Sequence, residues 1–351
     1  MSYIQKPVAH HPALPKNKLG LTRRDYEASM STLCAGCGHD SITAAIIEAC
    51  YRMELPAHRI AKVSGIGCSS KSPTYFLGRS HGFNSVHGRM PSVSTGANLA
   101  NRDLVYIGVS GDGDTASIGL GQYCHAVRRQ LNMTYIVMNN GCYGLTKGQF
   151  SATNDKSSPS KKGQPNPFDA IDLCQLAISL GAGFVARSFS GDKAQMVPLI
   201  EAALSYNGFA FIDILSPCVT FNNHTTSTKS YEYIRDHYQM TGRLDFVPQM
   251  DEIKVEYDTG SSTDVALHDG SLLRLHKLDD SHDVRSADDA LVAIRKSASA
   301  GEVATGLLYI NDEQRDLHDV LETDGRPLNA IPMSELCPGS DMIGKINKGL
   351  A

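Results

Sequence analysis

No run of about 18 consecutive apolar residues occurs in the 351-residue sequence, which excludes a membrane-spanning helix by length and apolarity. Basic residues are not in excess either. Against 37 Asp and Glu stand 33 Lys and Arg, a formal net charge of -4, so no electrostatic footprint favours DNA or RNA as the main ligand. The start, Met1 to Pro15, carries His and Pro and lacks the apolar core of a signal peptide, so a cytoplasmic address is expected. Tryptophan is absent, which excludes no class. The nine cysteines are odd in number and irregular in spacing, so they do not make a disulfide framework; metal or redox use of some of them is expected instead. With 41% hydrophobic residues, the chain can bury a full core and support one large domain with an appendage.

Helix-like and strand-like segments alternate from about Ser41 to Cys218. This is the pattern of an α/β fold, a doubly wound parallel sheet with helices on both faces. Helices are expected over 41–53, 91–100, 116–130, 168–180 and 193–205. Strands are expected over 60–64, 104–110, 134–138, 183–186 and 210–215, each short, apolar and rich in Val, Ile and aromatic residues. Residues 151–167, rich in Ser, Lys, Pro and Asn, read as a surface loop, or as a lid, because they directly follow a glycine-rich motif. A further helix is expected over 231–240. The implied organisation is an arm over 1–24, a main domain over 25–242 and a C-terminal extension over 243–351, where the composition turns polar and charged.

The strand DLVYIGVS runs into Gly111-Asp112-Gly113-Asp114, a tight turn at the carboxyl end of a parallel strand, where open α/β sheets bind ligands. The next strand ends in Asn139-Asn140 and leads into Gly141-Cys142-Tyr143-Gly144. A hard cation such as Mg2+ takes oxygen ligands and bridges carboxylates to phosphates. Asp112 can give its carboxylate, Asn140 its amide oxygen and Cys142 its backbone carbonyl, with a diphosphate completing the octahedron. The glycines let backbone N–H groups approach phosphate oxygens. This GDG followed by NN looks like the thiamine diphosphate motif. GDGDTA also fits the loose dinucleotide fingerprint, but a dinucleotide site wants Asp or Glu after the following strand, where Asn139-Asn140 stand.

Cys34 and Cys37, two thiolates in CAGCGH, have the bite that zinc and iron–sulfur sites both use. Cys68 and Cys218 end strands on the same sheet edge, so four thiolates can converge. Spacing does not choose between structural zinc and a [4Fe–4S] cluster; the neighbouring cofactor motif favours the cluster, which can take electrons one at a time from a 2-oxoacid decarboxylated on thiazolium. Cys50, Cys124 and Cys174 fall in expected helices as buried thiols, and Cys337 has no expected partner.

Taken in order, CAGCGH, GIGCSS, HGR, STGANLAN, GDGDTASIG, NNGCYGLTKGQ and SPC over about residues 25 to 225 resemble the β subunits of 2-oxoacid:ferredoxin oxidoreductases. The resemblance implies a coenzyme A-dependent oxidative decarboxylation of a 2-oxoacid that reduces two ferredoxins. It also implies an α subunit that supplies most substrate-binding groups, and pairing into an (αβ)2 assembly without nucleic acid or membrane. Cys34, Cys37, Cys68 and Cys218 resemble the cluster ligands, and Asp112, Asn140 and Cys142 the Mg2+ ligands. Gly65, Ser69, His87, Gly88, Arg89, Gly111, Gly113, Asp114, Gly144, Leu145 and Thr146 fall in segments that line the cofactor in that family. His39 and His87 adjoin these motifs.

Lys71 lies three residues after Cys68, on a loop expected to face the thiazolium. A buried cation there needs a counter-ion, which the distal carboxylate of 2-oxoglutarate would supply and pyruvate would not. GLTKGQ, with Leu145 and Lys147, also looks like the 2-oxoglutarate branch. Lys71, His87 and Leu145 are thus the expected substrate-facing residues. Pyruvate or a branched 2-oxoacid remains an alternative substrate. So do two other classes: a thiamine-dependent lyase or carboligase with structural zinc, and a nucleotide-binding scaffold.

Overall fold

The computed structural model describes residues 11–34, 36–144, 149–156, 165–216, 218, 252–267, 272–337 and 339–350. Five buried strands, β1 (Ile60–Ser64), β3 (Val105–Gly111), β4 (Met133–Asn139), β7 (Phe184–Phe189) and β8 (Phe209–Leu215), form the parallel centre, and β2 (His81–Asn84) closes one edge. The parallel order is β2-β1-β3-β4-β8-β7. The four residues of β2 are all exposed and polar or small apart from Phe83, which is why periodicity did not reveal that strand.

Successive residues of a strand face opposite sides of the sheet, and the two cores follow that alternation. Tyr135 and Val137 join one cluster with residues of α2 (Met90–Ala100), α3 (Leu120–Arg128) and α4 (Leu173–Ser179). Ile136 and Met138 join the other, beneath α1 (His39–Arg52) and α5 (Lys193–Ser205). The expected doubly wound sheet is therefore present, and expected strand 60–64 and helix 193–205 coincide with β1 and α5.

Helix α4 begins at Leu173 rather than at 168, because the Asp172 side chain caps it by accepting the Gln175 N–H at 2.9 Å. The expected helix over 116–130 is divided. A π-helical turn, Gly113–Ile118, precedes α3, and Gly119 N–H bonds to the Asp114 carbonyl at 2.8 Å. Wide turns of this kind recur at functional sites. The boundary near 243 and the helix over 231–240 lie outside the described residues. Beyond them, β9 (Ser262–Ala266), β10 (Leu272–Lys277) and β11 (Val303–Ile310), with α6 (Ala287–Ser299), extend the same sheet, β11 running antiparallel to β7.

Candidate active site

Because the central strands are parallel, their carboxyl ends meet along one edge, and Cys68, Asp112, Asn140 and Ser216 follow the ends of β1, β3, β4 and β8 there. A small cavity opens there, lined by Cys68 and Ser69 after β1, Gly111 to Asp114 after β3, Asn140 and Cys142 to Gly144 after β4, and by His39 and His87. Met138, Ile66 and Gly67 complete it, and like Tyr143 they were not marked by the motifs as ligand-facing.

The Asp112 side chain is 1% exposed. Burial pushes its carboxyl above the usual range, against the hydrogen bonds it accepts from Ser151, Thr153 and the Asn140 N–H. Thr153 Oγ1 lies 2.8 Å from Asp112 Oδ2, the Asn140 N–H donates to Oδ1 at 3.3 Å, and the Ser151 hydroxyl is also a donor to Oδ2. A buried carboxylate that accepts three hydrogen bonds and, among the described residues, pairs with no Lys or Arg suits a divalent metal, which would stabilise the charge that burial opposes. Asn140 turns its Oδ1 onto the Cys142 N–H at 3.1 Å, and Cys142 sits in β5 (Cys142–Tyr143), paired with β6 (Gln149–Phe150). Ser151 and Thr153 belong to the segment expected as loop or lid, so its first residues pack into the site, while 157–164 lie outside the described residues.

Asp114 has a different task. Its carboxylate accepts the Ser110 hydroxyl at 2.8 Å, the Gly88 N–H at 2.8 Å and the Ile66 N–H at 3.4 Å, tying three loops together. Gly65 is glycine because a Cβ there would collide with that carboxylate. Gly88, at φ +68°, leaves no room for a Cβ against Gly119. Both glycines thus brace the site from behind the cavity wall. Arg89 and His87 are exposed, and Leu145 and Thr146 lie outside the described residues.

The cysteines follow a similar logic. No disulfide joins any of the nine. The Cys34–Cys37 turn precedes α1 and is pinned to the end of β8, where the Ser216 hydroxyl donates to the Cys37 carbonyl at 2.7 Å. Burial pushes the Cys37 thiol up to about 12, with Cys34 and Cys218 adding to the rise. Cys68 is raised by burial, then by Cys218 and Cys34, and lowered by Lys71. A Cβ on Gly144 would sit 3.4 Å from Cys68 Sγ and 3.8 Å from Cys218 Sγ, so both thiols face that glycine. Cys34 and Cys218 therefore act on both Cys37 and Cys68. Among the described residues, though, no three His, Cys, Asp or Glu side chains are gathered closely enough to hold a metal ion. A fifth thiol was not expected here: Cys142 shares a hydrogen bond with Cys218, which, with burial, raises its pKa. Thiols whose ionisation burial opposes, as at Cys37 and Cys68, suit a metal centre, which keeps a coordinating thiol deprotonated. Cys50 and Cys174 are buried, as expected, Cys124 half-buried and Cys337 exposed.

His39 is 2% exposed, its Nδ1 3.3 Å from both Cys37 Sγ and Ser216 Oγ. Burial holds its pKa down at about 4, so the ring is neutral at pH 7. Lys71 is exposed in this chain, its backbone N–H on the Cys68 carbonyl at 3.2 Å.

A family model described as "Thiamine pyrophosphate enzyme, C-terminal TPP binding domain" matches residues 65–214. The chain is 39% identical over 221 residues to the "2-oxoacid:ferredoxin oxidoreductase subunit beta" of Sulfolobus sp, covering 63% of this chain and 70% of that protein. It is 39% identical over 195 residues to the "2-oxoglutarate oxidoreductase subunit KorB" of Mycobacterium tuberculosis, covering 54% and 51% respectively. Among solved structures, the 2-oxoglutarate:ferredoxin oxidoreductase from Magnetococcus marinus, with 2-oxoglutarate, coenzyme A and succinyl-CoA bound, superposes with a TM-score of 0.68. It is 29% identical, and the match covers 86% of this chain and 89% of that one.

Proposed function

This chain belongs to the family of 2-oxoacid:ferredoxin oxidoreductase β subunits, and from that premise we propose that, with an α subunit, it converts 2-oxoglutarate, coenzyme A and two oxidised ferredoxins to succinyl-CoA, CO2 and two reduced ferredoxins. The observation that carries the reading is that Cys68, which faces Gly144 together with Cys218, lines the same cavity as Asp112 and Asn140. Thiamine diphosphate supplies the thiazolium on which a 2-oxoacid loses CO2, and a [4Fe–4S] cluster supplies a one-electron route out.

The residues divide the work. Asp112, Asn140 and the Cys142 carbonyl would hold Mg2+, and Gly111 and Gly113 let backbone N–H groups reach a diphosphate. Asp114 keeps the loops bearing Ile66 and Gly88 in place around them. Cys34, Cys37, Cys68 and Cys218 would hold the cluster. Ser69, His87 and Gly144 line the remaining wall. Lys71, with Leu145, would meet the distal carboxylate of 2-oxoglutarate once the α subunit covers this face. Ferredoxin as acceptor, a cytoplasmic location and an (αβ)2 assembly belong to the same reading. No described helix is long and apolar enough to cross a membrane.

The test is to purify the chain with its α subunit without oxygen. About four irons per chain are expected. Cys68→Ser should lose the iron and the visible absorption, and Asp112→Ala should lose thiamine diphosphate while keeping iron. An iron-replete Cys68→Ser, or Asp112→Ala with full cofactor affinity, would overturn the corresponding ligand assignment.

A further inference from the structure

Two charges stand inside otherwise apolar strands, Arg187 in β7 and Asp213 in β8, directly across the parallel register from each other. They are 5% and 1% exposed, and Arg187 Nε donates to Asp213 Oδ2 at 3.0 Å. A buried ion pair is weak evidence for stability, because apolar residues of similar volume often serve as well or better. Its other contacts give it a role. Arg187 is anchored by a second arm, 2.7 Å from Asp172 Oδ1 at the cap of α4. Asp213 Oδ1 accepts the Asn139 Nδ2–H at 3.1 Å. Burial raises the Asp213 carboxyl, and Arg187 offsets part of that rise. Since both of its oxygens face N–H donors, the ionised form is the one that fits.

An ionised carboxylate accepts only, so Asp213 dictates which way the Asn139 amide lies. Its nitrogen must face Asp213, and its oxygen must face the metal-site loop. That oxygen is 3.4 Å from the Gly141 nitrogen and 3.0 Å from Thr153 Oγ1. Thr153 has one hydroxyl proton and three acceptors within reach: Asn139 Oδ1 at 3.0 Å, Asp112 Oδ2 at 2.8 Å and Ser151 Oγ at 2.8 Å, the last itself a donor to Asp112. A cation on Asp112 would displace that proton, and a properly oriented Asn139 receives it. The reversed amide would instead oppose the Gly141 N–H and leave Thr153 only Ser151 Oγ, whose own proton the same cation displaces from Asp112, so two hydroxyl protons would share one contact.

We infer that the Arg187–Asp213 pair positions the metal site: by fixing the Asn139 amide, it gives the Thr153 proton a place to go when a divalent cation takes Asp112. The inference rests on the reading of Asp112 as the Mg2+ carboxylate. Partners standing behind metal ligands in this way typically contribute about 10- to 100-fold in metal affinity.

The experiment measures thiamine diphosphate binding to the metal-stripped αβ complex by equilibrium dialysis across a Mg2+ series. Asp213→Asn, free to present its own amide either way, should raise the Mg2+ concentration for half-maximal binding by about tenfold or more with iron content unchanged. In a Thr153→Val background, where no proton needs an acceptor, the same substitution should change it by no more than about twofold. An equal shift in both backgrounds, or none in either, overturns the inference. If Asp213→Asn does not yield a folded complex, Arg187→Met with Asp213→Leu replaces the pair by apolar groups and leaves the amide unguided; wild-type Mg2+ dependence in that variant overturns it as well. Asp112→Ala separates the two levels, because cofactor binding that survives it strikes the Mg2+ assignment itself.

Discussion

Gly113 and Lys71 show how far single residues can be read from their surroundings. A Cβ on Gly113 would lie 2.6 Å from the Tyr143 ring, whose hydroxyl donates to the Gly113 carbonyl at 3.0 Å. Gly113→Ala should therefore push Tyr143 off the cavity wall and weaken thiamine diphosphate binding by about tenfold, a loss of about 1.4 kcal/mol, while iron content stays intact. Dialysis with the cofactor and iron analysis check both parts. Lys71 is exposed in this chain and opposes the rise that burial gives the Cys68 thiol, so its charge is felt there. If it meets the distal carboxylate of 2-oxoglutarate in the assembled enzyme, Lys71→Ala costs about 2 to 5 kcal/mol of that contact. Catalytic efficiency on 2-oxoglutarate should then fall about tenfold or much more, and far less on 2-oxobutyrate. Equal losses on both substrates would assign Lys71 to the cluster or the fold.

At the level of elements, the loop after Cys68 depends on a lysine in β1. Lys62 is 7% exposed and donates to the carbonyls of Pro73 and Phe76, both at 2.6 Å, and of Leu77 at 3.1 Å. It thereby fastens the turn that carries Lys71. Lys62→Met takes a donor from all three carbonyls, of which Leu77 keeps the Ser80 N–H and hydroxyl, and should cost roughly 1 to 3 kcal/mol, visible as a lower denaturation midpoint. Burial lowers the Lys62 ammonium from 10.5 to about 8. The folded protein thus releases this proton before the unfolded chain does, and between those two pH values the unfolded state binds more protons. Stability from this group consequently rises with pH through that window. The midpoint difference between wild type and Lys62→Met should widen from about pH 7 to about pH 9.5, and a constant difference would deny the depressed pKa.

For the molecule as a whole, the site lies open along one sheet edge, and the relatives are subunits of larger enzymes. The chain alone should hold iron yet turn over no 2-oxoacid, and adding the α subunit should restore ferredoxin reduction. Turnover by the isolated chain would mean that the cavity between β1, β3 and β4 is sufficient. The C-terminal strands β9 to β11 extend the sheet on the side away from β1, so deleting them would expose β7, whose six residues are all buried.

The sequence by itself determined the alternating α/β order, the strand ends that meet at the cofactor edge, and the spacing of Asp112, Asn140 and the cysteines. Apolar runs set the elements, and parallel strands must end together. It did not disclose β2, whose residues are all exposed, or that the C-terminal residues continue the same sheet, since antiparallel pairing of β11 with β7 joins segments more than 100 positions apart. Ser151 and Thr153 were hidden in a stretch whose composition reads as loop. Arg187 and Asp213 did leave a trace, opposite charges inside two apolar strands, but their meaning waited on register. Only the tertiary structure puts the two side by side and carries their contact through Asn139 to Asp112, because a hydrogen-bond chain is set by distances across strands and not by positions along them.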